Sequence, residues 1–300
     1  MRVKLVEKRV KFVETLYRPS FDKNAKIEDS CFVNHASNIY GVTDGNSAAF
    51  SPINPQDMYS SGLTGGQMVM QQVSLFLYEL NFFMGIEECL ARVNARVLSC
   101  HQDIGKDPRS DHDVGGASFA FCQFTEEGIT FLLGGDCFAL VKSANDCMFF
   151  TGFDKAAFDL EAQDQNAYNT CLNLAGGNRG NAWDLHFPRY RRKRLFCKNK
   201  NIGQGGHADL NGDPALAQCW KREMIKWDCG VKKVLLGTDG LIASSQFDGN
   251  NLEQLGFTLW HISIGDPKIL LNRRDSIEPY ARRSQHVEGW PEAAAVVLSF

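Results

Sequence analysis

The sequence predicts an α+β fold of antiparallel sheets with helices packed outside them. Two observations predict it. Apolar, strand-like runs come in pairs separated by turn signals, as hairpins do, and the helical patterns are grouped instead of alternating with strands. A doubly wound parallel sheet would need regular alternation of strand and helix.

Taken in order, Val3, Leu5, Val10 and Phe12 alternate with charged residues and suggest two short half-buried strands. "SCFVNH" and "NIYGVT" flank a polar Ala-Ser-Asn turn and read as a hairpin that ends at Asp44-Gly45. Val69, Val73, Phe76, Leu77 and Leu80 share one helical face, as do Ile86, Leu90, Val93 and Val97 in a second helix beyond Gly85. "ASFAFCQF" and "GITFLLGG" flank "TEEG", a further hairpin signal, and "CFALVKS" extends the meander past Asp136. Residues 151–212 are polar and rich in Gly and Asn, and read as an irregular insert. "PALAQCWKREMIKW" reads as a helix with Asp213 as N-cap and Pro214 at its first position. "KKVLLGT" is a short apolar strand, "DPKILLNRR" opens a helix at Asp266-Pro267, and "AAAVVLSF" closes the chain as a strand. No repeat or linker divides the chain, so residues 1–300 are expected to form one domain with an insert or flap at about 151–212.

Composition excludes several classes. The chain has 300 residues, is 44% hydrophobic and carries a net charge of −3, enough for a sizeable core and no reason to expect nucleic acid or membrane as partner. The N-terminal stretch lacks the continuous apolar core of a signal peptide, and no run approaches a membrane span. These features lead to an expectation of a cytoplasmic monomer. None of the ten cysteines forms a Cys-x-x-Cys pair, so reduced core thiols are expected, not a zinc ribbon or a disulfide framework.

Acidic residues at strand ends carry the chemistry. A strand end aims a short Asp carboxylate rigidly, and an adjacent Gly lets backbone approach a ligand. Hard cations such as Mg²⁺ and Mn²⁺ take carboxylates, carbonyls and water. Three apolar strands end this way, at Asp44-Gly45, at Asp136 and at Asp239-Gly240, and Glu28-Asp29 opens a fourth. Singly, each Asp-Gly is a common turn dipeptide. Their repetition in one context is what points to a metal.

The motifs "IEDSCFV…YGVTDGNS", "GGASFAF…LLGGDCFALV" and "VLLGTDGL" occur in that order. Together they resemble the metal-dependent protein phosphatases of type 2C, over about Glu28 to Phe300. The resemblance implies a four-layer α-β-β-α sandwich, two Mg²⁺ or Mn²⁺ ions, and hydrolysis of phosphoserine and phosphothreonine in proteins by a metal-bridging hydroxide. Asp44 would bridge the ions. The Gly45 carbonyl and Glu28 would hold one of them, directly or through water, with Asp29 in the adjoining shell. Asp239 would hold the other, and Asp136 with Asp239 would form a third and weaker site. Asp44 and Asp239 are thus the expected catalytic pair.

The resemblance is incomplete. Where the family's last strand begins with a ligating Asp, this chain has Pro291, followed by Glu292, with Ala294 at the usual Thr position. Glu292 is the candidate substitute ligand. The family's phosphate-holding Arg is replaced near the acidic pair by Asn24 or Lys26, and Asn46 stands where relatives carry His. Lys26 and Asn46 are therefore the expected substrate-binding residues. The alternative function is a catalytically weak or inactive relative that binds a phosphorylated protein.

"RYRRKRLFCKNK" places seven basic residues in twelve. It reads either as a docking surface for a phosphorylated or otherwise acidic partner or, more simply, as a solvated loop or strand edge with protective charges; the resemblance, which puts a flap beside the active site in this region, implies a substrate contact as a further role. "DLNGD" and "SDHD" read as turns.

Overall fold

The computed structural model describes residues 10–19, 27–46, 62–111, 113–242, 252–285 and 292–300. Two five-stranded antiparallel sheets form its centre. One sheet contains β2 (Asp29–Asn34), β3 (Ile39–Asn46), β4 (Gly116–Phe124), β5 (Gly128–Gly134) and β8 (Lys221–Lys226), in the order β2-β3-β4-β5-β8. The other contains β1 (Phe12–Arg18), β6 (Phe138–Lys142), β7 (Cys147–Thr151), β9 (Lys233–Gly237) and β10 (Ala293–Ser299), in the order β1-β10-β9-β6-β7.

Strand alternation builds the layers. In β4, Ala120, Cys122 and Phe124 face the second sheet, where they meet Ala139, Val141, Val234, Leu236, Ala294, Val296 and Leu298. Phe119 and Phe121 face the other way, onto α1 (Gly65–Glu79) and α2 (Ile86–Asp103) through Met68, Val69, Val73, Leu90 and Val93. On the far side, Leu140, Leu235, Ala295 and Val297 pack against Leu255, Leu259, Leu270 and Leu271 of α6 (Leu252–Ser263) and α7 (Pro267–Gln285). The order is helix, sheet, sheet, helix, as the resemblance implied.

Two expectations about local structure are corrected. Residues 214–227 do not form one helix: α5 spans only Leu216–Cys219, and Lys221–Lys226 becomes edge strand β8, paired with β5 from Leu133↔Lys221 to Gly128↔Lys226. The free edge of β5 supplies backbone partners that outweigh helix propensity. The insert is not irregular either. It contains α3 (Lys155–Leu174) and α4 (Arg179–Cys197), turned back on each other through Gly176 and Gly177 at φ 59° and 83°. Their N-caps, Asp154 and Asn178, accept bonds from Ala157 and Asn181. The helices bury few apolar side chains, which hides their period in the sequence. The basic run is accordingly the end of α4, not a loop or a strand edge.

All ten cysteines are unpaired thiols. No described helix is long and apolar enough to cross a membrane. The strand expected around Val3 and Leu5 lies outside the described residues.

Candidate metal centre

The acidic residues meet where strands of both sheets end. Asp29 opens β2 directly opposite Asp44 near the end of β3, and Asp44 in turn lies opposite Ser118 of β4. β9 ends at Gly237, level with Phe138 of β6 and Ala295 of β10, and a short 3₁₀ turn then carries Asp239. Thr238 joins the sheets: its hydroxyl donates to Asp29 Oδ2 at 2.7 Å and accepts from the Ala294 amide at 3.0 Å.

Backbone close to Asp44 is tightly held. The Gly45 amide donates to the Glu28 carbonyl at 2.9 Å. A Cβ on Gly45 would meet that carbonyl at 2.7 Å and the Cα of Gly66 at 3.0 Å, so only glycine lets the start of α1 close over the strand end. Thr64, the N-cap of α1, donates its hydroxyl to Glu28 Oε1. Asp136 follows Gly135, whose φ of 65° turns the chain after β5.

Asp44, Asp136 and Asp239 are half-buried, and Asp29 is buried. The Asp44 carboxyl lies against that of Asp29, directly opposite it in the β2–β3 pair, and close to that of Asp239. Two ionised carboxylates have no proton to share, so such contacts need a proton or a cation between them. Burial, then the charges of Asp29, Asp239 and Asp136, pushes the Asp44 carboxyl well above the ordinary carboxylate range. Burial raises Asp29 likewise, with a further push from Asp239 and Glu292, against the bond from Thr238. Asp136 is pushed up to about 7, by burial first and Asp239 second, against a bond from Ser118. Its Oδ1 is buried and accepts no hydrogen bond from the described residues.

By its chemistry this set fits a hard divalent cation: clustered carboxylates, an adjacent carbonyl at Gly45, and repulsion that only positive charge or protons relieve. Among the described residues, no three His, Cys, Asp or Glu side chains are already spaced as ligands of one ion.

The sign of the resulting pH dependence follows from the raised values. A carboxyl whose pKa is higher folded than unfolded contributes stability that is present at low pH and lost as pH rises. For Asp136 the window runs from the ordinary value of 3.8 up to about 7. Protein stripped of divalent cation should therefore melt at a higher temperature at pH 5 than at pH 8, and Mn²⁺ should restore stability at pH 8. A melting temperature that rises from pH 5 to pH 8 in chelator would contradict this.

Glu292 stands beside the acidic pair. Its Oε2 accepts from the amides of Glu28 at 2.6 Å and Asp29 at 2.9 Å, and its Oε1 accepts from the Tyr17 hydroxyl at 2.9 Å. The desolvated Tyr17 phenol is raised further by that carboxylate. Asn46 lies at the end of β3, where its Oδ1 accepts from Arg194 Nη1 at 2.6 Å. Lys26 and Pro291 lie outside the described residues. Sequence reasoning missed Thr64 and Thr238, hydroxyls that carry no motif, and met Arg194 only as one of the residues of a basic run.

No family model and no curated protein sequence matches the chain. Solved structures do. MsPP from Mycobacterium smegmatis, a PPM Ser-Thr phosphatase crystallised with cacodylate, superposes with a TM-score of 0.52 at 16% identity, over 97% of this chain and 99% of that one. The serine/threonine phosphatase PstP/Ppp of Mycobacterium tuberculosis gives 0.50 at 12% identity, over 96% and 98%. Stp1 of Staphylococcus aureus gives 0.50 at 10%, over 97% and 95%. At such identities the likeness is one of fold, and it extends over nearly the full length of both chains. With its two stacked sheets, its flanking helices and its acidic strand ends, this chain has the fold of the PPM, or type 2C, Ser/Thr phosphatases.

Proposed function

We propose that the protein is a metal-dependent phosphatase acting on phosphoserine and phosphothreonine in proteins. The observation that carries the reading is the convergence of Asp29, Asp44, Asp136 and Asp239, from both sheets, at one end of a sandwich of this fold. When bound, two Mg²⁺ or Mn²⁺ ions supply Lewis-acid chemistry and lower the pKa of water.

The chain's own residues have separable tasks. Asp44, central to the carboxylate contacts, is the shared ligand. Glu28 and the Gly45 carbonyl serve one ion, with Asp29 beside them; Asp239 serves the other, and Asp136 with Asp239 offers a weaker third position. Glu292 holds the Glu28 and Asp29 amides in place through Oε2, and its Oε1, which accepts only the Tyr17 hydroxyl, keeps a lone pair for an ion or water. Asn46 and Lys26 are assigned to the phosphate. We read residues 1–300 as one domain, a monomer in the cytoplasm, with the α3–α4 insert beside the site.

The test is hydrolysis of an aryl phosphate, then of a phosphoserine peptide, with Mn²⁺ and with chelator. Turnover that needs Mn²⁺ is expected. No turnover with Mn²⁺, or turnover indifferent to chelator, overturns the reading. Glu292 favours a second reading, a phosphoprotein-binding relative without activity, because its oxygens already accept three protein donors. Retained binding of a phosphorylated protein with no turnover would select it.

A further inference from the structure

We infer that Arg194 is a positioning residue for the substrate phosphate: it fixes the Asn46 amide so that its NH₂ group donates to a phosphate oxygen. The inference rests on the phosphatase reading above and adds to it a residue from the insert.

Arg194 is only 4% exposed. A buried guanidinium needs acceptors, and it has three among the described residues: Asn46 Oδ1 at 2.6 Å, the Tyr190 hydroxyl at 3.1 Å and the Val114 carbonyl at 3.2 Å. All three are neutral. The carboxylate closest in kind, Asp209, is paired with Lys198, which is itself buried. Burial holds His207 in the same cluster neutral, with a pKa pushed down to about 4. Arg194 itself makes no ion pair among the described residues, and the Asp209 carboxylate packs directly against Gly116, the residue opposite Asn46.

The guanidinium charge lies close to the acidic centre. Asn46 is two residues beyond Asp44 on β3, so it emerges on the same face roughly 7 Å further along. Four carboxylates repel a phosphate dianion, and a donor backed by positive charge at this distance offsets the repulsion. The amide orientation is decided by the guanidinium. Nη1 can only donate, so Oδ1 must face it, and both N–H donors of Asn46 turn the other way. Without Arg194 the amide is free to flip and present an oxygen to the phosphate.

The experiment reads binding of inorganic phosphate in the presence of Mn²⁺, together with KM and kcat for an aryl phosphate. Arg194→Met should weaken phosphate about tenfold and raise KM by a similar factor, as expected for one charge-backed hydrogen bond. kcat should change far less, and Mn²⁺ binding should persist. Asn46→Ala should show the same loss, and adding Arg194→Met to it should cost nothing further. If Arg194→Met does not fold, Asn46→Asp decides, because it keeps an acceptor for Arg194 while removing the NH₂ donor. It should stay folded and lose phosphate affinity. Multiplicative effects of the two substitutions, wild-type phosphate affinity in Arg194→Met or Asn46→Asp, or no phosphate binding by the wild type would each overturn the inference. Phosphate binding that depends on Asn46 and Arg194 in a protein without turnover would sustain it while the phosphatase reading fails.

Discussion

Asp44→Ala should reduce Mn²⁺-dependent hydrolysis of an aryl phosphate by about a thousandfold or more. The carboxyl of Asp44 is the one in contact with both Asp29 and Asp239. As the proposed shared ligand it would govern both ions, and loss of the several kcal/mol they would contribute to the transition state corresponds to a factor of that order. Asp239→Ala should act in the same direction. Both substitutions also remove one member of a repelling, buried group, so metal-free protein should not be destabilised and should gain stability above neutral pH. That pairing separates a ligand from a structural residue: activity falls while the apo protein melts no earlier. Full activity in Asp44→Ala would remove the assigned centre.

Arg274→Met should lower the melting temperature by roughly 6–12 °C. Arg274 of α7 is fully buried, donates Nη1 to the Gly240 carbonyl, and donates Nε and Nη2 to Asp275 Oδ1 at 3.2 and 3.1 Å. Asp275 is also bound by Arg18 of β1 at 2.5 Å. These contacts brace the turn that carries Asp239 from α7 and from the edge strand. Removing the guanidinium strands a buried carbonyl and half of an ion-paired group, about 3 kcal/mol, and each kcal/mol moves the midpoint by about 2–4 °C in a domain of this class. Because the brace ends at Gly240, Mn²⁺ affinity should also fall by about tenfold, the scale seen for residues that orient ligands. A melt and a Mn²⁺ titration check both. An unchanged midpoint would mean that solvent replaces the guanidinium at no cost.

The two largest corrections have separate causes. β8 forms because β5 offers a free edge more than eighty residues upstream, and no local pattern in "PALAQCWKREMIKW" contains that edge. The insert helices bury only Ala157, Ala182 and Cys197 of their apolar side chains, beside the polar Asp164, His186 and Arg194. A periodicity search weighs apolar residues and passes over them.

Most of the strands, though not β8, are legible in local patterning, because an alternating or wholly apolar run can satisfy its side chains in few other ways. The same patterning shows which carboxylates stand at their ends, since Asp-Gly after an apolar run is a local, backbone-encoded feature. What surrounds those carboxylates comes from packing between distant segments. Thr238 reaches Asp29 across the sheets, Glu292 grips the Glu28 and Asp29 amides, and Arg194 comes from an insert helix to Asn46. A buried charge or amide must find its partner wherever the fold places one. These partners lie between 148 and 264 residues away along the chain.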